Sequence, residues 1–429
     1  MVVCLIVIAI LVVSLLMGIP MAIGLAIAGL ITLVTQFPGM PLDMAMQQMY
    51  TGLNSFSLLA VPMFMLGAEI MCSGQCADRL LKFIRSLLGH LPGGIAITSI
   101  GTCTLFGAVS GSTQATFVAV GRPMMKELRR QRYDNSHSAG MLMSAATIAL
   151  LIPPSISMII YCVVANCSVG KLFIAGIGPG VLLCLLFMIY EAVYAKRHNV
   201  PTEPRATSGE IRRAFVDALL PLGFPAIILG GIYAGIFSPT ESAAVSCAYA
   251  FIVEFFIFHS MTLKDLVNAC INVGVVTAEC FILVGTGQIL SWVLSYAAIP
   301  QTMASGVANM GLSPNMFLIL VSAVFFVGCM FMDSIPLNYI LVPIFAPIGE
   351  GLGIDPIHLG LLVVLQTAIG CVTPPFGYNL FTAMAIFDLP YTTVVKKVWP
   401  YLAMCILCTF ILIFLPGITL FLPNLAFGS

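Results

Sequence analysis

The chain has 429 residues, of which 60% are hydrophobic and only 8% are charged, with 17 basic residues balanced by 17 acidic ones. A soluble globular chain carries about 25% charged residues, so this composition excludes that class and predicts an all-α polytopic membrane protein. A zero formal net charge gives no indication of a nucleic-acid partner, and we expect none. The 14 cysteines lie scattered in apolar segments without metal-ligand spacing, so we interpret them as small apolar residues.

The apolar segments predict ten membrane-crossing helices, because one crossing needs about 20 apolar residues. A basic amphipathic segment at 75–90 is instead typical of an arm that lies along the membrane interface. In chain order, the predicted crossings are 1–17, 20–37, 56–73, 136–166, 172–195, 214–236, 240–258, 269–297, 356–388 and 398–421.

Two further apolar regions, 93–132 and 314–348, are interrupted by polar residues. The interruptions read SGST at 110–113 and MDSIP at 332–336. Each side of either interruption is short for a crossing. We therefore predict two re-entrant hairpins, each of which enters and leaves the membrane on the same side.

The chain also contains a weak internal repeat. Sliding one half on the other by 221 residues aligns Pro153-Pro154 with Pro374-Pro375 and His137 with His358, and a charged cytoplasmic linker at 196–213 joins the halves. Each half then makes five crossings, an odd number, so the second half enters the membrane from the opposite side. This predicts an inverted repeat, which is the usual architecture of a secondary transporter.

The distribution of Lys and Arg predicts the orientation, since basic residues concentrate in cytoplasmic loops. If both termini are periplasmic, 16 of the 17 Lys and Arg residues fall at cytoplasmic ends, and only Lys171 does not.

Two of the predicted crossings, 136–166 and 356–388, are broken by LLIPPSISMI at 150–159 and CVTPPFGYNL at 371–380. Irregular backbone survives at membrane depth only against protein or a water-filled cavity. A break offers carbonyl oxygens that suit a small hard cation and helix N-termini that suit a carboxylate. The alternative is a tolerated proline kink, but two breaks at matching places favour a binding role.

The hairpin tips carry the other candidate ligands. The Ser and Thr residues at 110–113 offer oxygen atoms, although such hydroxyls also bond back to carbonyls within a helix. Asp333 indicates function more strongly, because a carboxylate at membrane depth is costly. Glu69, Glu241, Glu254 and Glu279 are weaker candidates.

Three segments make the chain resemble the large membrane subunit of tripartite ATP-independent periplasmic (TRAP) transporters: GAVSGSTQATFVAVGRPM at 107–124, LLIPPSISMIIY at 150–161 and TPPFGYNLF at 373–381. The resemblance implies an elevator-type ion-transporter fold in the bacterial inner membrane. A transport domain would comprise 93–195 and 314–429, and it would slide past a scaffold comprising 1–92 and 214–313.

The resemblance also implies sodium-coupled import of an organic acid. Sialic acid is the favoured substrate by overall likeness, with a four-carbon dicarboxylate or another carboxylate as alternatives. The implied partners are a periplasmic substrate-binding protein, which delivers the acid, and a small four-helix membrane subunit.

By motif position, two sodium sites and a substrate site are implied. The first sodium site would involve Ser110, Gly111, Ser112, Pro153 and Pro154, and the second Asp333, Ser334, Thr373, Pro374 and Gly377. The substrate carboxylate would lie near Ser112, Ser155, Ser157 and Asn379.

Other classes of protein fit less well. The chain has no HExxH motif and no phosphate-binding loop, which argues against an intramembrane metalloprotease and an ATP-driven pump. A channel would need a continuous pore. A sodium/carboxylate symporter that works without a binding protein is the nearest alternative.

Overall fold

The computed structural model describes residues 2–309 and 311–428, which fold into helices joined by short turns. The first half contains ten α-helices, with 3₁₀ turns at Phe56–Leu59 and Ile148–Leu150. They are α1 (Val2–Leu16), α2 (Met21–Gln36), α3 (Asp43–Leu53), α4 (Ala60–Ser73), α5 (Cys76–Leu88), α6 (Gly94–Ser110), α7 (Thr113–Arg130), α8 (Asn135–Thr147), α9 (Ile156–Ala165) and α10 (Val169–Arg197).

The second half contains eleven α-helices, and the one that begins at Pro239 continues as a π-helix over Ile252–Ile257. They are α11 (Ser208–Tyr233), α12 (Pro239–Phe251), α13 (Leu263–Tyr296), α14 (Ile299–Asn309), α15 (Pro314–Phe331), α16 (Ser334–Gly351), α17 (Pro356–Gly370), α18 (Tyr378–Phe387), α19 (Tyr391–Val395), α20 (Trp399–Phe414) and α21 (Gly417–Phe427).

Within the described residues, six helices are long and apolar enough to cross a membrane, or seven if α20 and α21 form one bent crossing. The span predicted at 398–421 is bent, because α20 and α21 meet at an angle of 58°. Pro416 explains the bend, since its ring cannot continue the hydrogen bonding of a helix interior.

Both predicted hairpins are present, and they match in register. α6 and α7 reverse direction at Gly111, which takes a left-handed φ of 59°, and α15 and α16 reverse at Met332. α7 begins at Thr113 and α16 at Ser334, 221 positions later, and the two helices also end 221 positions apart. This register confirms the internal repeat.

The two discontinuous helices are also present. α8 and α9 are separated by the first Pro-Pro pair, and α17 and α18 by the second. The side chain of Asp134 accepts a hydrogen bond from the backbone N–H of His137 and so caps α8, and Asp355 caps α17 in the same way. The shared Asp-x-x-His pattern therefore marks the start of each broken helix, and the fold class is the predicted one.

The structure adds three helices that the sequence did not predict: α3, α14 and the five-residue α19. The amphipathic arm forms α5, and α14 lies 221 positions after 78–88, which is most of that helix, so α14 is the arm of the second half. α3 is separated from α4 by Asn54 and a short 3₁₀ turn, whereas the corresponding part of the second half is the single 34-residue helix α13.

The cytoplasmic linker predicted at 196–213 is shorter than expected. Only 198–207 is non-helical, because a capping box between Thr207 and Glu210 starts α11 early.

The hairpins and broken helices pack against one another at very short distances. A Cβ atom added at Gly107 of α6 would lie 2.7 Å from the Cα atom of Ala149, and one at Gly370 of α17 would lie 2.3 Å from the Cβ atom of Cys329. The remaining helices form other pairs: α4 with α12, α2 with α13, and α5 with α11. The division into a transport domain and a scaffold, with the boundaries predicted above, stays a prediction.

Candidate transport site

The candidate site is a cavity of about 600 Å³ between the two hairpin tips and the helices α4 and α13. Polar groups line the hairpin side, while the α4 and α13 side is mostly apolar. The polar lining residues are Glu69, Ser110, Ser112, Thr113, Gln114, Ser157, Asn272, Asp333, Ser334 and Tyr378.

Four helices begin at this cavity. α7 begins at Thr113, α9 at Ile156, α16 at Ser334 and α18 at Tyr378, and each of these residues or its neighbour lines the space. A helix N-terminus carries unpaired backbone N–H groups and a partial positive charge. Together, the four N-termini form one wall of the cavity, the hairpin wall. This wall favours a carboxylate, because anions bind where helix N-termini converge.

The first tip is held together by its own hydroxyls. Ser110 Oγ lies 2.6 Å from Thr116 Oγ1 and 3.2 Å from the carbonyl oxygen of Ser112. The side chain of Ser112 accepts a hydrogen bond from the backbone N–H of Ala115 and so caps α7. Oxygen atoms from hydroxyls and backbone are therefore concentrated at this tip, and they are the type of ligand that a hard cation prefers.

The second tip carries a carboxylate at the equivalent place. Asp333 is the N-cap residue of α16, but its side chain makes no capping hydrogen bond. The Ser334 hydroxyl lies 3.5 Å from Asp333 Oδ1 and 3.1 Å from the hydroxyl of Ser157. The contact between Ser157 and Ser334 joins the broken helix of the first half to the hairpin of the second half.

The Pro-Pro breaks lie directly behind the tips. A Cβ atom at Gly111 would lie 2.3 Å from the carbonyl oxygen of Pro154, so the first tip and the first break touch through their backbones. At the second break, the Thr373 carbonyl accepts from the backbone N–H of Gly377 at 3.0 Å, and the Thr373 hydroxyl donates to the Ile369 carbonyl at 2.7 Å. Pro374 and Pro375 lie in the short segment between Thr373 and Gly377.

The predicted substrate residues divide into two groups. Ser112 and Ser157 line the cavity. Ser155 and Asn379 do not line it, and both are fully buried behind the wall. Ser155 Oγ and Asn379 Oδ1 have no hydrogen-bond partner among the described residues, so each offers an oxygen to the region behind the tips.

Three polar lining residues were not singled out from the sequence: Gln114, Asn272 and Tyr378. The Tyr378 hydroxyl lies 3.1 Å from the hydroxyl of Thr113, which links the second break to the first tip. The sequence signal for Gln114 and Tyr378 was their place in the polar tip and the break. Asn272 stands in an apolar helix, where a polar amide at membrane depth is a usable signal.

The cavity holds two carboxylates, those of Glu69 and Asp333, and no Lys, Arg or His side chain lines it. In the part of the chain that the structure describes, no group of three or more His, Cys, Asp or Glu side chains is arranged to hold a metal ion.

Paired hairpins, paired broken helices and a cavity between them define the membrane-embedded subunit of a secondary transporter. Residues 8–418 match the family model described as "Tripartite ATP-independent periplasmic transporter, DctM component". The chain belongs to this family: it is a TRAP large permease subunit of the inner membrane and not an enzyme. In the tripartite arrangement, such a subunit works with a small membrane subunit and a periplasmic binding protein.

Several relatives extend over nearly the whole chain. The ectoine TRAP transporter large permease protein TeaC of Halomonas elongata is 47% identical, over 96% of this chain and 97% of that protein. The ectoine/5-hydroxyectoine large permease protein UehC of Ruegeria pomeroyi is also 47% identical, over 97% of this chain and 98% of that protein. The sialic acid large permease protein SiaM of Vibrio cholerae is 32% identical, over 96% of each chain.

The solved structure of the YdaH transporter of Alcanivorax borkumensis has the same overall fold. Its TM-score is 0.64 and its sequence identity 13%, over 89% of both chains.

Proposed function

We propose that this chain forms the translocation path of a sodium-coupled importer of ectoine or a closely related cyclic amidinium carboxylate. The binding protein delivers the substrate, and the hairpins and broken helices carry it across by an elevator movement. The observation that carries the proposal is the cavity in which four helix N-termini and both hairpin tips face α4 and α13.

The position of the cavity supports the elevator movement. Its lining residues on α4 and α13 lie towards Ser73, where α4 ends, and towards Leu263, where α13 begins. In the predicted orientation, with both termini periplasmic, these are the cytoplasmic ends of the two helices. The chain then has its hairpin tips in the cytoplasm-facing position, and sliding past α4 and α13 brings the same tips to the periplasmic side.

The oxygen atoms at the tips support sodium coupling. The first tip provides Ser110, Gly111 and Ser112 with the backbone of Pro153 and Pro154, and the second provides Asp333 and Ser334 with Thr373, Pro374 and Gly377. Hydroxyl, carbonyl and carboxylate oxygens suit a hard cation. In transport, a bound sodium ion supplies positive charge, which lets the neighbouring helix N-termini hold the substrate carboxylate at membrane depth.

The relatives favour ectoine over the sialic acid expected from the sequence. The two relatives named for ectoine are 47% identical, whereas the one named for sialic acid is 32% identical. The charge of the cavity favours the same choice, because its side chains are acidic and not basic. Ectoine carries one positive and one negative group, so both walls of the cavity have a partner on this substrate.

Uptake by the reconstituted three-component system tests the proposal. The large subunit is placed in liposomes with its small subunit, and the binding protein is added outside with radiolabelled ectoine or sialic acid. We expect ectoine to accumulate only with an inward sodium gradient and only with the binding protein present. Equal uptake with potassium in place of sodium contradicts the coupling, and uptake of sialic acid without ectoine contradicts the substrate.

A cysteine on the first tip tests the movement. Gln114 is exposed to the cavity, so in a cysteine-free background Gln114→Cys should react with a membrane-impermeant thiol reagent from the cytoplasmic side. Binding protein loaded with ectoine should transfer this reactivity to the periplasmic side. Reactivity that stays on one side throughout turnover contradicts an elevator.

A further inference from the structure

Glu69 is a carboxylate without a partner on the opposite side of the cavity from the hairpins. It lies on α4, it is half-buried, and it lines the cavity. Among the described residues, the Glu69 carboxylate takes part in no ion pair, and only its backbone carbonyl accepts a side-chain hydrogen bond, from Ser73 at 2.8 Å. A charged group in such a place needs a compensating cation.

The two walls of the cavity have opposite polarity. The hairpin wall also holds the carboxylate of Asp333. With a sodium ion on that carboxylate, as proposed above, the four helix N-termini of this wall favour a negative group, whereas the α4 and α13 wall offers the negative charge of Glu69. A substrate with carboxylates and no cationic group meets repulsion on the second wall. A substrate whose carboxylate and cation lie at opposite ends fits both walls at once.

The surroundings of Glu69 fit an organic cation better than a sodium ion. A hard cation prefers a shell of oxygen ligands, but the lining residues near Glu69 on α4 and α13 are largely apolar or sulfur-containing. An amidinium is planar, with N–H donors for one carboxylate and carbon faces for an apolar surface, like the guanidinium of Arg. The apolar lining residues on α4 and α13 are Met65, Ala68, Cys72, Val273, Val276 and Cys280.

The carboxylate of Glu69 has no counterpart in the second half of the repeat. The residue 221 positions after Glu69 is Leu290, which is fully buried and apolar. If the elevator exchanges the roles of the two halves, the hairpin tips meet Glu69 in the cytoplasm-facing position and Leu290 in the other. Contact with Glu69 is therefore specific to one side of the membrane.

We propose that Glu69 pairs with the amidinium group of the substrate in the cytoplasm-facing state and thereby selects a zwitterion over a simple carboxylate. This inference rests on the proposed function, because it takes ectoine as the substrate. Glu69 is a specificity residue on the stationary helices, and the carboxylate end of the substrate belongs to the hairpins.

Direct binding to the purified complex of large and small subunits, without the binding protein, tests the pairing. The probes are radiolabelled ectoine and pyroglutamate, a cyclic amide carboxylate of similar size that carries no positive charge. Both are titrated at saturating sodium, and sodium is then titrated at fixed ectoine. The variants are Glu69→Gln, Glu69→Asp and the matched control Glu279→Gln, an exposed carboxylate on α13 that does not line the cavity.

We expect Glu69→Gln to weaken ectoine binding roughly tenfold or more, as loss of one partner of a desolvated charge pair does. Pyroglutamate binding should stay the same or improve, Glu69→Asp should recover part of the ectoine affinity, and Glu279→Gln should behave as the unmodified protein. The sodium concentration for half-saturation should not change.

Three results overturn the pairing: unchanged ectoine binding in Glu69→Gln, equal losses for both probes, or a shifted sodium requirement with unchanged ectoine affinity. The last result would assign Glu69 to sodium. Failure of the unmodified complex to bind ectoine at all is a different result, which overturns the proposed substrate and the pairing with it.

Discussion

The two hairpin tips have the same register but differ in backbone and chemistry: the turn residue of the first, Gly111, is left-handed, and that of the second, Met332, is extended. Ser112 and Asp333 occupy equivalent places, each as the N-cap residue of the second hairpin helix. The oxygen of Ser112 is used for capping α7, while the carboxylate of Asp333 makes no capping bond and faces the cavity. The repeat therefore provides one neutral and one charged tip, and the carboxylate of the charged one is not used for capping, since only the Ser334 hydroxyl lies within hydrogen-bond distance of Oδ1.

The largest expected effect is a loss of uptake, and it should differ between variants of the two tips. We expect Asp333→Asn to lower sodium-driven ectoine uptake at least roughly tenfold, because it keeps the shape and removes a functional intramembrane charge. Ser112→Ala should lose a neutral hydroxyl and a capping bond of about 1 kcal/mol and reduce uptake only a few-fold, because the backbone oxygen atoms of this tip remain. Initial uptake rates in liposomes measure both variants. Equal losses, with both proteins still bound to the small subunit, would show that the charge makes no difference.

The next largest effect is on the rate and sodium requirement of uptake, in variants of the two Pro-Pro breaks. Pro374→Ala with Pro375→Ala restores the backbone N–H groups that a continuous helix needs and removes the N-terminus of α18 from the cavity. We expect normal assembly with the small subunit, a several-fold lower rate and a higher sodium requirement, measured by sodium titration of uptake. Pro153→Ala with Pro154→Ala should behave in the same way. A double variant with normal rate and sodium dependence would identify its break as a structural kink.

A smaller effect, on thermal stability, is expected where glycines of the two halves pack closely against neighbouring segments. Gly107→Ala would place a methyl group 2.7 Å from the Cα atom of Ala149, and Gly370→Ala would place one 2.3 Å from the Cβ atom of Cys329. Overpacking of this kind costs about 1–3 kcal/mol. Thermal unfolding of the purified protein should show a lower midpoint for both variants. Gly274→Ala is the control, since nothing lies within 4 Å of its new methyl group, and a midpoint as low as theirs would contradict the explanation.

The smallest effect concerns the arm of the first half, α5, which carries charges that α14 lacks. Arg85 on α5 donates hydrogen bonds to the linker carboxylate of Glu203 at 3.0 and 2.5 Å, and this contact raises the pKa of Arg85. The pair is partly exposed, with 39% and 25% of the two side chains accessible, so Arg85→Gln should cost only about 0.5 kcal/mol. Thermal unfolding at low and high salt measures it against Lys82→Gln, an exposed change on the same helix. A loss of several degrees that salt does not reduce would show that Arg85 acts through packing instead.

The sequence predicts the fold well where a strong local signal interrupts an apolar run. The Pro-Pro pairs and the polar tips lie within a few residues of the observed helix ends, because backbone irregularity inside a membrane needs a special residue. Less marked features were missed. α14 has no charged residue to reveal an amphipathic arm, and only the repeat with α5 predicts it. The bend at Pro416 was missed because a single proline in an apolar helix is common.

The sequence predicts which segments form the site, but not the arrangement of their side chains. The sequence indicates that the tips and breaks meet, but not which side chains share a space. Ser157 and Ser334 are 177 positions apart and 3.1 Å from each other, and only the packing of α9 against α16 creates that contact. Ser155 and Ser157 are two positions apart, yet one is behind the wall and the other lines the cavity. Ser155 is the extended N-cap residue before α9, whereas Ser157 lies in the first turn of that helix, and tertiary packing decides which of the two faces the cavity.

The unequal shapes of α3 with α4 and of α13 have a mechanical consequence. At 1.5 Å per residue, the 34 residues of α13 form a rod about 50 Å long, which exceeds the roughly 30 Å of bilayer hydrocarbon and must tilt or protrude. The chain between α3 and α4 is instead jointed at Asn54 and Ser55. In the proposed elevator, the two halves would therefore respond differently to a load from the hairpins: the continuous α13 would resist bending, and the break between α3 and α4 would let that side flex.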